Sequence, residues 1–122
     1  MKARFSIEVD VPQSLVRMTL GGFFHIEDIE RLVEARNAAF LQLQCGPHEH
    51  LTMVDVRDMD IQPQDSVAAF QQVLADPTRR SKRLAFVVAR SLARIQAKRA
   101  TDTREVSYFV SPEEAEHWLL NG

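Results

Sequence analysis

The sequence predicts an α/β fold: a mainly parallel sheet of about five strands with one antiparallel strand and helices packed on it, in the order ββαβαβαβα. Three observations carry this expectation. Phe5 to Val11 alternates apolar and polar residues, and a Pro12-Gln13-Ser14 turn leads into a second strand-like run, so the chain opens with an antiparallel hairpin. Leu51 to Val56 and Leu84 to Ala89 are apolar almost throughout, as strands buried on both faces are. Segments at helical spacing separate these runs, and strand–helix alternation implies parallel pairing through right-handed crossovers.

Each element has its own signals. The second strand reads from Leu15 to Leu20 and is broken by Gly21-Gly22. A helix then runs from about Ile26 to Gln44, with Ile26, Ile29, Val33, Phe40 and Leu43 near one face. Glu27, Asp28 and Glu30 crowd its first turn, where the helix dipole favours acids. Cys45-Gly46-Pro47 stops it before the third strand. The next helix starts near Asp65 or Ser66 and ends at Asp76-Pro77. Leu84 to Ala89 is an interior strand, Ser91 to Ala100 a helix with a basic outer face, and Glu105 to Val110 the last strand. Ser111 suits the N-cap of the closing helix, Pro112 its first position, and Glu114 the reciprocal place in a capping box. Ala115, Trp118 and Leu119 form its buried stripe.

Bulk properties narrow the function classes. A chain of 122 residues, 45% hydrophobic, fits a single domain spanning residues 1–122 with a real core. No apolar run approaches the ~18 residues of a membrane span, and MKARFSIEVD lacks the apolar stretch of a secretory signal, so the expected location is cytoplasmic. Cys45 is the single cysteine, which excludes an internal disulfide. Charge is uneven: residues 79–104 hold nine bases and one acid, the remainder six bases and sixteen acids. Such a block attracts anions or docks on an acidic face of another copy, or is simply a solvated helix surface. Arg79-Arg80-Ser81-Lys82-Arg83 lacks interleaved aromatics and the pI is near 6.1, so no dedicated nucleic-acid binding is expected.

Four stretches taken in order resemble the bacterial SpoIIAA-like group of STAS domains, which is related to SEC14. They are GGFFHIEDIERLVEA, LTMVDVRDMD, RLAFVVARSLARIQAKR and EVSYFVSPEEAEHWLL, and together they span nearly the whole chain. The resemblance implies a binding or regulatory module, with no established enzymatic reaction. In the anti-sigma-factor antagonists of this family, a serine in Asp-Ser-Ser-Gly accepts a phosphate at the helix start after the third strand. The comparable stretch here is Asp65-Ser66-Val67-Ala68, which keeps the first two residues and lacks the second serine and the glycine. Ser66 is therefore a candidate phosphorylation position, set against the plainer role of Asp65 or Ser66 as a helix N-cap.

Other candidates come from the residues themselves. Asp55, Asp58, Asp60 and Asp65 fall where a parallel strand hands over to a helix, the edge at which α/β sheets seat ligands. Converging carboxylates there would hold Mg²⁺. Yet Arg57 can neutralise a neighbour and the spacing suits a turn, so no metal is expected. Cys45, His48 and His50 offer sulfur and two imidazoles but no second cluster to complete a zinc site, and they read as a surface connection. Free N–H groups at Ser91, Leu92 and Ala93, flanked by Arg90 and Arg94, would make an anion seat, or an ordinary capped helix with exposed arginines. Met18, Phe23, Phe24, Met53, Met59, Phe70 and Phe86 would line a lipid-sized pocket or, as such residues more often do, fill the core.

The function expected is a non-enzymatic module that binds a protein partner or a small anionic ligand through Asp55, Arg57, Asp58, Asp65, Ser66, Arg90, Ser91 and Arg94 at the carboxyl edge of the sheet. Homodimerisation is expected, and no cofactor. The alternative is a carrier of a lipid or hydrophobic metabolite, of the SEC14-related type. A third reading is an enzyme using Asp55 or Asp65 with Arg90.

Overall fold

The computed structural model describes residues 2–76, 80–90 and 106–121. Five strands form one sheet in spatial order β1-β2-β3-β4-β5: β1 Arg4–Asp10, β2 Leu15–Gly22, β3 Leu51–Met59, β4 Arg83–Val87 and β5 Val106–Phe109. Among the described residues only the β1–β2 pair is antiparallel, with Ile7 opposite Met18, and the other three pairs are parallel. Helices α1 Ile26–Phe40, α2 Gln64–Ala75 and α3 Pro112–Asn121 complete the described elements. The helix expected at Ser91 to Ala100 lies outside the described residues.

The period-two rule divides each strand between two cores. Val16, Met18, Leu20 and Val54 pack with Phe24, Ile29 and Leu32 under α1 and α2. Leu15, Leu51, Met53, Ala85 and Val87 pack on the other face against Ala115 and Leu119 of α3. Leu15, Val16, Phe24, Ala85 and Val87 are fully buried. Trp118, expected in the buried stripe, is partly buried beside Phe109, and the Arg83 guanidinium lies 5.6 Å from its ring centroid.

Several boundaries differ from expectation for identifiable reasons. Strand β2 runs through Gly21 and Gly22 instead of breaking there. Gly22 takes a φ of 82°, which glycine adopts without strain, and at Gly21 the Arg4 guanidinium lies 2.7–2.9 Å from where a Cβ would sit. Helix α1 ends at Phe40, four residues early, because Leu41, Gln42 and Leu43 donate to carbonyls three residues back and tighten the chain into turns. Strand β3 extends to Met59, since Asp55 pairs with Thr19 and Asp58 with Gly21, one extra residue being accommodated between them. The connection between β3 and α2, expected to begin after Val56, therefore shrinks to residues 60–63.

Caps also differ in detail. Pro63, not Asp65 or Ser66, occupies the N-cap of α2. Ser111 caps α3 as expected, accepting from Glu114 N–H at 3.3 Å, and its hydroxyl donates to the neighbouring Glu113 carboxylate (2.8 Å). That bond, a backbone hydrogen bond and the Arg57 charge hold the Glu113 carboxyl below its ordinary range.

Candidate functional site

Because β3 and β4 are in parallel register, with Asp55 opposite Val87, residues 57–59 and 88–90 emerge at the same carboxyl edge. Arg57 closes on Asp55 there, Nε donating at 3.0 Å to Oδ1 and Nη2 at 2.7 Å to Oδ2, a two-point ion pair. The hydrogen bond to Asp55 raises the Arg57 pKa, and the charges of Asp55, Asp58 and Glu113 add to it. Arg90 is exposed at the same edge. Ser91 and Arg94 lie outside the described residues, so the anion seat proposed on them does too.

Asp65 and Ser66 belong to the first turn of α2. Asp65 accepts the Ser66 N–H at 3.0 Å, while the Ser66 hydroxyl donates to the Phe24 carbonyl at 2.6 Å. Ser66 is 1% exposed, so phosphorylation there would require that turn to open. The aspartates do not converge either: among the described residues, no group of three or more His, Cys, Asp or Glu is placed to hold a metal ion.

The two histidines part company. His48, with φ 62°, is exposed, and its Nδ1 lies 2.8 Å from the Arg80 carbonyl. His50 is not on the surface as expected but buried, its ring 4.4 Å from Phe40 and its Nε2 3.0 Å from Ser81 Oγ. Ser81 Oγ is in turn 2.6 Å from Thr52 Oγ1. Burial, reinforced by the charges of His48 and Arg36, lowers the His50 pKa, so the imidazole is neutral near pH 7.

Thr52 and Ser81 lie at one end of a cavity of about 480 Å³ between the sheet and the α1–α2 layer. Thr52, Val54 and Val56 present one face of β3 to it, Leu84 and Phe86 come from β4, and Met18 and Leu20 from β2. Helices supply Leu32, Val33 and Phe40 from α1 and Phe70 and Val73 from α2. The two ends differ in chemistry. Met59, Asp60, Ile61 and Gln62 line the carboxyl-edge end, where Gln62 accepts the Phe24 N–H at 2.8 Å and donates to the Gly22 carbonyl. Arg36, Thr52, Arg80 and Ser81 line the amino-edge end. Helix α1 runs against the strands: Phe24 before it meets Gln62 beyond β3, and Phe40 at its end meets His50 before β3.

Of the apolar residues singled out for a pocket, Met18, Met59, Phe70 and Phe86 line this one. Phe24 is core, edge-on to Phe70, and Met53 faces α3 on the opposite side. Phe23 sits edge-on to His25. The amino-edge polar groups were missed, although they left two signals. Arg36 falls on the buried stripe Ile29, Leu32, Arg36, Ala39, and Thr52 is the lone polar residue on the cavity face of an apolar strand. A charge or hydroxyl at a core position calls for a partner.

The architecture is that of a SpoIIAA-like fold. It matches the crystal structure of an uncharacterised protein of the DUF3478 family with a SpoIIAA-like fold from Shewanella loihica PV-4, with a TM-score of 0.76 and 16% sequence identity. The match covers 98% of this chain and 96% of that one. No protein-family model and no curated protein matches the sequence. Among the described residues, no helix is long and apolar enough to cross a membrane.

Proposed function

We propose that this chain is a SpoIIAA-like binding module without a reaction of its own, and that its ligand is a small apolar molecule held between the sheet and the α1–α2 layer. One observation carries the reading: the cavity of about 480 Å³ with predominantly aliphatic and aromatic walls. That size falls in the range of about 300–1,000 Å³ in which small-molecule sites are found. Its predominantly apolar lining supports an apolar occupant, whose burial there would remove apolar surface from water. The carrier alternative is thereby favoured over the anionic-ligand reading built on the Ser91 helix.

N-phenyl-1-naphthylamine, a neutral apolar fluorophore, tests the reading. Its emission rises on entering the wild-type cavity, and Val54→Trp, which fills that space from the β3 wall, lowers its affinity at least tenfold. Equal binding by the two proteins would place the probe elsewhere and defeat the proposal.

A second reading concerns the carboxyl edge, where the register gathers Arg57, Asp58 and Arg90. In it, this mixed-charge rim docks a protein partner or a second copy of the chain, the module regulates that partner in the bacterial cytoplasm, and ligand occupancy of the cavity sets the affinity. Contacts of this kind weaken as salt rises. Sedimentation at low and high salt should show homodimers dissociating at high salt and weakened by Arg57→Glu. A monomer at every concentration in low salt would remove the homodimer from this reading.

A further inference from the structure

We infer that the outer edge of β1 is a self-recognition surface, on which a second copy of this chain adds its own β1, antiparallel and centred on Ser6, to join the two sheets into one. Strand β1 stands at the end of the sheet order, and among the described residues it pairs with β2 alone. An open row of main-chain donors and acceptors invites another strand, and natural edges are blunted by proline, a bulge, shortness or repelling charge. Strand β1 is seven residues long, holds no proline or glycine, and keeps an unbroken register with β2 throughout. The opposite edge strand, β5, has only four residues. Charge is present on β1, but its order favours a copy of itself.

From Lys2 to Asp10 the chain reads Lys-Ala-Arg-Phe-Ser-Ile-Glu-Val-Asp, with bases before Ser6 and acids after it. Ala3, Phe5 and Ile7 pack on the cavity-side core, while Lys2, Arg4, Ser6 and Glu8 are exposed. Two antiparallel copies centred on Ser6 set Lys2 opposite Asp10 and Arg4 opposite Glu8 on one face. On the other face they set Ala3 opposite Val9 and Phe5 opposite Ile7. A pairing centred on Glu8 would oppose that carboxylate to itself, and a parallel one in register would oppose every charge to its like. A slip of one residue would set apolar side chains against charged ones. The charges select the register without giving up their own contacts. Glu8 keeps a side chain 75% exposed with Arg17 at 3.2 Å, Asp10 accepts from Gln13 at 2.6 Å, and the Arg4 guanidinium lies beside Gly21. Affinity comes from main-chain hydrogen bonds and from covering the half-buried Phe5, Ile7 and Val9. The contact is two-fold and closes on itself, so it yields a dimer and not a fibre.

This edge lies two strands from Arg57 in β3, so it is a different surface from the carboxyl-edge rim. An association weakened by Arg57→Glu but not by Glu8→Arg belongs to the rim, and the converse to the edge. Cysteine cross-linking reads the register. In a Cys45→Ser background, Ser6→Cys puts two thiols on directly opposed residues, whose Cα atoms lie about 4.5–5.5 Å apart and within reach of a disulfide. Glu8→Cys separates them by four residues along the strands, roughly 14 Å, which is beyond that reach. Mild air oxidation should turn Ser6→Cys into a covalent dimer and leave Glu8→Cys a monomer. Sedimentation equilibrium reads the charges. Arg4→Glu and Glu8→Arg should each weaken the wild-type dimer at least tenfold, and mixing the two variants should restore it, which also shows that both fold. If either charge variant does not fold, the cysteine pair decides alone. A wild-type monomer, no cross-link at Ser6→Cys, equal cross-linking at both positions, or folded charge variants that do not pair on mixing would overturn the proposal.

Discussion

His50 has an imidazole buried beside Phe40, with Arg36 and His48 adding positive charge nearby and Ser81 bonded to its Nε2. All three effects named for it, burial first, disfavour the imidazolium, so its pKa in the folded chain is below its ordinary value. In the unfolded chain the group protonates near pH ~6.5. Below that pH the unfolded chain binds more protons than the folded one, so the His50 contribution to stability is intact above it and is lost progressively as pH falls. Urea unfolding at pH 5.5 and 7.5 should therefore show a smaller loss on acidification in His50→Asn than in wild type. The carboxylates, unchanged between the two proteins, cancel in that comparison. An identical loss in both would show that His50 does not titrate as its surroundings require. None of this was legible beforehand: His48 and His50 look alike in sequence, and only the Phe40 and Ser81 neighbours, distant along the chain, separate the buried ring from the exposed one.

Helix α3 covers the face of the sheet opposite the cavity and is held by three kinds of contact. Ala115 and Leu119 bury against β3 and β4, Arg17 of β2 reaches Glu116 at 2.5 Å, and Ser111 caps the first turn. Carbon burial dominates. Leu119 is 2% exposed, and Leu119→Ala should destabilise the fold by about 2–5 kcal/mol through lost transfer energy and the space left behind. Loss of the cap in Ser111→Ala should cost about 1 kcal/mol. Urea midpoints measure both, and a Ser111→Ala effect as large as that of Leu119→Ala would contradict this ranking. The elements themselves were readable because period two and period 3.6 are local properties of sequence. Their ends were less so. Extension of β3 to Met59 depends on pairing with β2, and the early end of α1 on turns that apolar spacing does not register.

Across the whole molecule, the strand order and the single antiparallel pair follow from the opening hairpin and the repeated strand–helix alternation. The likeness to a SpoIIAA-like structure over 98% of the chain agrees with that order. The proposed site was harder to read, because the general rule for parallel sheets directs attention to the carboxyl edge. The β3–β4 register brings Asp55, Arg57, Asp58 and Arg90 to that edge, where Arg57 and Arg90 are exposed and Asp55 is engaged by Arg57. An apolar cavity of about 480 Å³ instead lies between sheet and helices, with Arg36, Thr52, Arg80 and Ser81 at its amino-edge end. Arg36, Thr52 and Ser81 come from three separate elements, and nothing in their local spacing joins them. The methionines offer the most direct test, since Met18 and Met59 line the cavity while buried Met53 faces α3 on the other side of the sheet. In methyl-labelled protein titrated with N-phenyl-1-naphthylamine, the Met18 and Met59 resonances should shift together and saturate while Met53 stays in place. Movement of Met53 with Met18 and Met59 unmoved would contradict an interlayer ligand site.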